Sequence, residues 1–88
     1  MCGILGLVAG MGSVPRVSEA GVTAMRDAMA HRGPDGAGLL DLGQVILAHR
    51  RLAVVDTSPN GHQPFVDPLG RGSLVYNGEL YNDHELRA

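Results

Sequence analysis

The second residue of this 88-residue chain is a cysteine, and it is the only one. Small residues at position 2 permit removal of the initiator methionine. Removal would leave Cys2 carrying a free α-amine beside its own thiol. That amine has a reference pKa of about 7.7–8.0, near the operating pH of a useful general base. The thiol, at about 8.5, is a strong nucleophile once ionised. Nucleophile and base would then come from one residue, directly or through one water. Position alone favours a small buried residue, because free cysteine is among the most buried residue types. With one cysteine there is no internal disulfide. His31, His49, His62 and His84 show no zinc-ligand spacing, so no metal site is expected.

A second chemical signal lies near the other end, in Asn77-Gly78. An Asn side-chain amide and a Gly backbone N–H are two donors able to converge on one oxygen, as an oxyanion hole requires. Asn-Gly is also the commonest tight-turn dipeptide. Between these ends stands His49-Arg50-Arg51. In a strand, His49 and Arg51 share one face and Arg50 points to the other, where a solvated surface charge is the expectation. Gly10-x-Gly12 is not a dinucleotide fingerprint, because Pro15 stands where the third glycine belongs.

These residues need elements to hold them. Cys2 to Ala9 reads as a short buried strand broken by Gly10, Gly12 and Ser13. A helix is predicted from Ser18, its N-cap, to about Ala30, with Val22, Met25 and Met29 as a core-packing apolar face. The segment His31-Arg32-Gly33-Pro34-Asp35-Gly36 ends it. Strands are predicted over Ala37–Leu40 and Gln44–Leu52, with a turn at Asp41–Gly43 and a continuation over Ala53–Asp56. Ser58-Pro59-Asn60-Gly61 is a turn signal. Gln63–Val66 and Ser73–Asn77 read as a hairpin. A final helix starts at Asn82, with Glu85 three residues on as in a capping box, and the chain reads as cut within it.

The bulk numbers set limits. With 44% apolar and 18% charged residues and a net charge of −2, the composition is that of a globular domain, and nothing in it indicates a nucleic-acid partner. No apolar run approaches the roughly 20 residues that span a bilayer, so no membrane partner is expected. The run Ile4–Ala9 is too short for a signal-peptide core, and the cytoplasm is the default. With two Tyr, one Phe and no Trp, the core must come from aliphatic side chains.

Five stretches, taken together, carry a resemblance. Met1-Cys2-Gly3-Ile4-Leu5-Gly6, His31-Arg32-Gly33-Pro34-Asp35, Ala48-His49-Arg50-Arg51-Leu52-Ala53-Val54-Val55-Asp56, Gln63-Pro64 and Tyr76-Asn77-Gly78-Glu79-Leu80-Tyr81-Asn82 follow one another. In that order they resemble the class II glutamine amidotransferases of the asparagine-synthase type, which are N-terminal nucleophile hydrolases. Any one stretch is weak, and the five in order are specific.

The resemblance implies an α+β fold of stacked antiparallel sheets between helices (αββα), of which residues 1–88 would be the N-terminal part. It implies L-glutamine as substrate and Cys2 as nucleophile, with Asn77 and Gly78 as the oxyanion hole. Arg51, standing just before a leucine, would bind the substrate carboxylate, and its planar fork suits that task. Glu79 would hold the substrate ammonium, and a second acidic residue used there by the family has no counterpart in these 88 residues. Main-chain carbonyls near Val54 and Val55 would help fix the substrate, their side chains belonging to the core. His31 would position Cys2 or shape its loop, while Asp35 and Asp56 would bond loop backbone. No cofactor is implied for this portion. ATP and Mg2+ would belong to a synthetase domain, in cis or in trans, that receives the ammonia for an activated carboxylate such as aspartyl-AMP. The alternatives are a fragment active only with a complementary chain, or a non-catalytic glutamine-binding module.

Overall fold

The structure is a computed structural model that describes residues 2–10, 17–54, 57–78 and 82–87. Its elements are β1 (Gly3–Val8), α1 (Glu19–Asp27), β2 (Gly36–Asp41), β3 (Val45–Arg51), a 3-10 turn at Pro59–Gly61, β4 (Phe65–Val66), β5 (Ser73–Leu74) and α2 (Asp83–Arg87). β1, β3 and β2 lie in that order in one antiparallel sheet, and β4 and β5 form a second, two-stranded one. The chain is thus a small α+β structure with antiparallel sheets.

The register divides the larger sheet into two faces. Leu5 and Leu39 flank Ala48, and Leu7 lies opposite Ile46. These residues face α1, whose Val22 is fully buried against Ile46 and Ala48. Burial of each such aliphatic side chain contributes roughly 1.5–3 kcal/mol. Ile4, Gly6, Leu47, His49, Gly38 and Leu40 alternate onto the opposite face.

α1 starts where its cap predicts. Ser18 has extended backbone and its hydroxyl accepts from Gly21 N–H at 3.1 Å. The α-helix ends at Asp27, earlier than expected, and residues 28–30 form a tighter turn in which Met29 N–H bonds Arg26 O and Ala30 N–H bonds Asp27 O. Met25 is exposed, contrary to the expected apolar face, while Met29 packs under Gly3 of β1. β2 and β3 join at Gly43, whose φ of +87° suits only glycine and whose N–H bonds the Asp41 carboxylate at 2.9 Å.

Several expected boundaries shift. β1 is buried on one face only, with Ile4 48% and Val8 74% exposed. The strand predicted to run on through residues 53–56 stops at Arg51, and Val54 is 65% exposed rather than in the core. Val55 and Asp56 lie outside the described residues, as do Gly12 and Ser13 of the predicted break. The second hairpin keeps only two residues per strand, so Val75, Tyr76 and Asn77 are irregular backbone. α2 follows Asn82, whose carbonyl accepts from Leu86 N–H at 3.1 Å.

Candidate active site

Cys2 stands just before β1, at the end of the sheet where β3 finishes. Its half-buried sulfur lies 3.3 Å from the backbone nitrogen of Leu52 and 3.7 Å from the Leu52 carbonyl oxygen. Its own carbonyl accepts from Arg32 Nε at 3.2 Å. The side chain from the His31–Asp35 loop that reaches Cys2 is therefore Arg32, and the neighbouring His31 is exposed.

That loop is fastened to β3. Gly33 is buried, and a Cβ there would collide with the backbone at Arg50 and Arg51, so only glycine permits the approach. Arg50 Nε donates to Gly33 O at 2.9 Å and its Nη1 meets Asp27 at 3.2 Å. With 16% of its side chain exposed, Arg50 is a structural tie and not the solvated charge that strand alternation suggested. Asp27 also pairs with Arg26 at 2.9 Å, and the Arg26 guanidinium, helped by that of Arg50, holds its carboxyl below the ordinary carboxylate value. Asp35 bonds backbone as predicted: its carboxylate accepts from Ala53 N–H at 2.8 Å, while its own N–H donates to Arg51 O.

Arg51, one residue along, leaves β3 on the other side. Its Nη1 donates to Ser58 O at 2.6 Å. Gly61 of the 3-10 turn lies against its guanidinium, with no room for a Cβ between them. Ser58 caps that turn through a 3.2 Å bond from Asn60 N–H. Arg51 and Cys2 thus approach the same end of the sheet, Cys2 through the sulfur at Leu52 and Arg51 from the residue before it.

Asn77 and Gly78 arrive by a different route. Gly38, opposite His49 in the sheet, leaves space that the Gln63 main chain occupies, and a Cβ there would overlap the Gln63 carbonyl. The Gln63–Pro64 peptide is cis. Gln63 Oε1 accepts from Tyr76 N–H at 2.6 Å, and His49 Nε2 lies 3.2 Å from Tyr76 O. Asn77 is half-buried and Gly78 exposed. Among the described residues no hydrogen bond joins Asn77 or Gly78 to Cys2, and their link to the site is Tyr76. Val54 follows the end of β3 on exposed backbone, and Val55 and Glu79 lie outside the described residues.

His49 and Gln63 are the two buried polar side chains among the described residues, 1% and 8% exposed. Burial lowers the His49 pKa below the usual imidazole value, partly offset by its bond to Tyr76 and reinforced by the nearby His62 and Arg51 charges. Sequence reasoning treated His49 only as a marker of strand face and gave Gln63 no role. A histidine directly after the apolar run Val45–Ala48 of the central strand was the available signal. Among the described residues no three His, Cys, Asp or Glu side chains gather as metal ligands, and no helix is long and apolar enough to cross a membrane.

The family description "Glutamine amidotransferase domain" matches residues 1–88. The chain is 41% identical over 88 residues to "Asparagine synthetase [glutamine-hydrolyzing]" of Triphysaria versicolor, covering 100% of this chain and 15% of that protein. It is 40% identical over 87 residues to "Asparagine synthetase [glutamine-hydrolyzing] 1" of Arabidopsis thaliana, with 99% of this chain and 15% of that protein covered. A 64-residue stretch is 47% identical to "Amidase chry2" of Gibberella zeae, covering 70% of this chain and 10% of that protein. The chain therefore spans about 15% of the length of the asparagine synthetases it resembles. No solved structure matches it. A match along its whole length, over a sheet whose one end carries Cys2, makes this chain a member of the glutamine amidotransferase domain family.

Proposed function

We propose that this chain carries the glutamine-hydrolysing chemistry of an asparagine-synthase-type amidotransferase. The observation that carries the reading is the half-buried Cys2 sulfur at the Leu52 N–H, one residue beyond Arg51 in the chain.

Loss of Met1 frees the Cys2 α-amine, which takes the thiol proton. The sulfur attacks the side-chain amide carbon of glutamine and the carbonyl oxygen becomes an oxyanion, held by the Asn77 side chain and the Gly78 N–H. The proton on the α-amine passes to the amide nitrogen, the C–N bond breaks, and ammonia leaves a Cys2 thioester. Water then adds to the thioester, giving glutamate and the free thiol. Arg51 binds the substrate α-carboxylate, Glu79 its α-ammonium, and the carbonyls of Val54 and Val55 its flank. The ammonia passes to a synthetase partner that has activated a carboxylate, as the names of the plant relatives suggest. The fold we propose is the N-terminal nucleophile type, two stacked sheets between helices. A reducing cytoplasm suits a free catalytic thiol.

The test is glutamate release from glutamine by the purified chain, with its mass measured for loss of Met1. A Cys2→Ala variant should release none, and a trapped adduct 1:1 on Cys2 should appear in the parent chain only. Release that persists in Cys2→Ala would remove Cys2 from the chemistry. A second reading, in which another polypeptide completes the site, is favoured by the apolar side chains of Ile4 and Val8 left exposed on β1. Release that appears only when a synthetase partner is added would select it.

A further inference from the structure

Tyr76 is gripped at both of its backbone polar groups by the two buried polar side chains. Its N–H donates to Gln63 Oε1 at 2.6 Å, and its carbonyl oxygen lies 3.2 Å from His49 Nε2. The segment around it is irregular, so no sheet ladder holds these groups. We propose that His49 and Gln63 are positioning residues, a clamp on Tyr76 that orients the Asn77 side chain and the Gly78 N–H toward the oxyanion of glutamine hydrolysis. The inference rests on the glutaminase reading above.

The geometry supports more than simple satisfaction of buried backbone. The Tyr76 carbonyl belongs to the same rigid peptide plane as the Asn77 nitrogen. Fixing that plane places the Asn77 nitrogen and Cα, and leaves only φ of Asn77 to set the direction in which its side chain leaves the backbone. The Gly78 N–H is then only one pair of dihedral angles away. Both jaws of the clamp rest on rigid parts of the sheet. His49 lies in β3, the central strand, paired with Ile4 on one side and Gly38 on the other. Gln63 is seated by its main chain on Gly38, the same residue that pairs with His49. Two segments distant in sequence, at His49 and Gln63, therefore converge on Tyr76 and hold the peptide on either side of its Cα. An oxyanion hole gains its effect from donors that need no reorganisation during reaction, and a loop pinned in this way meets that requirement.

The experiment compares the full chain with His49→Leu, His49→Gln, Gln63→Met and Gln63→Glu. Glutamate release is measured as kcat and KM, Cys2 alkylation by iodoacetamide as a rate, and amide hydrogen exchange at Asn77 and Gly78 as protection. A clamp predicts that His49→Leu and Gln63→Met lower kcat about ten- to a hundredfold with KM changed less than about threefold. Cys2 alkylation stays unchanged, exchange at Asn77 and Gly78 accelerates, and His49→Gln, which keeps a donor, recovers most of kcat. If His49→Leu does not fold, Gln63→Met and Gln63→Glu read the other jaw by the same criteria. Unchanged kcat and unchanged exchange in a folded variant would overturn the clamp, as would an equal loss in Cys2 alkylation. Failure of the glutaminase reading is separate: the parent chain would release no glutamate, and the exchange data alone would decide whether the clamp exists.

Discussion

Arg50 and Arg51 are adjacent in sequence and serve opposite sides of one sheet. Arg50 ties the Gly33 carbonyl and Asp27 on the side of α1, whereas Arg51 turns to Ser58 and Gly61. Their separation follows from strand alternation alone, and it gives the two guanidiniums different work.

Substitution should expose that difference. Arg50→Ala leaves the buried-side carbonyl of Gly33 without its donor and is expected to cost about 1–3 kcal/mol in urea unfolding, with little change in KM for glutamine. Arg51→Lys keeps the charge but loses the planar fork, and is expected to raise KM about tenfold or more with a smaller effect on kcat. Equal KM changes in the two variants would contradict the assignment.

Gly33 and Gly38 are both places where a backbone passes too close for a side chain. Alanine at either should destabilise the chain by roughly 1–3 kcal/mol or more through forced backbone shifts. Gly38→Ala should also lift Gln63 off the sheet, so it should accelerate amide exchange at Tyr76. Gly70, with φ of +71° and open space around it, should lose stability from alanine only through its dihedral angle.

Stability should depend on pH through His49. Its folded pKa lies below the unfolded value of 6.5, because burial disfavours the imidazolium. Above 6.5 both states are neutral and the full stability is present. As pH falls below 6.5, the unfolded chain takes up a proton that the folded chain refuses, and stability declines until the folded pKa is passed. His49→Gln should flatten unfolding midpoints across that window. The carboxyls of Asp27, paired with Arg26 and Arg50, and of Asp67, which accepts from the Arg71 guanidinium and from Leu69 N–H, are depressed and act lower: their contribution is present above the unfolded value of 3.8 and is lost as pH falls through the folded values.

The core is small, so single truncations should be felt. Ile46→Ala removes a side chain packed against Val22 and Leu7 and is expected to cost about 2–5 kcal/mol by thermal or urea unfolding. Met25→Ala, on the exposed side of α1, should change stability by less than about 0.5 kcal/mol.

Local chemistry was readable from sequence where it acts locally. Ser18 as cap, the Asp41–Gly43 turn and the shared face of His49 and Arg51 all follow from neighbours a few residues away, whereas the Asp35 carboxylate finds its backbone partner at Ala53, 18 residues on. What escaped sequence reasoning depends on chain segments meeting from afar. Arg50 looked solvated because nothing nearby in sequence announces Gly33 and Asp27 as partners. Met25 looked buried because helical spacing gives a stripe but not its width, and of that stripe only Val22 is fully buried against the sheet. Val54 looked like core because the apolar run Ala53–Val55 continues past the last ladder pair, yet Asp35 claims the Ala53 N–H and ends the strand there. For Asn77 and Gly78, the dipeptide was visible and its tether to His49 was not, since the connection spans 27 residues.

The alternation along β3 also works as a parity code. His49 and Arg51 are odd marks on one side of a ruler, and Ala48 and Arg50 are even marks on the other. Insert one residue before Ala48 and every mark changes sides: the imidazole would turn toward α1, the tie to Gly33 would be lost, and the guanidinium facing Ser58 and Gly61 would belong to the wrong arginine. Insert two and the sides are restored. Within this strand, only an even change in length keeps both sets of side chains on their own sides without a bulge that absorbs the odd residue.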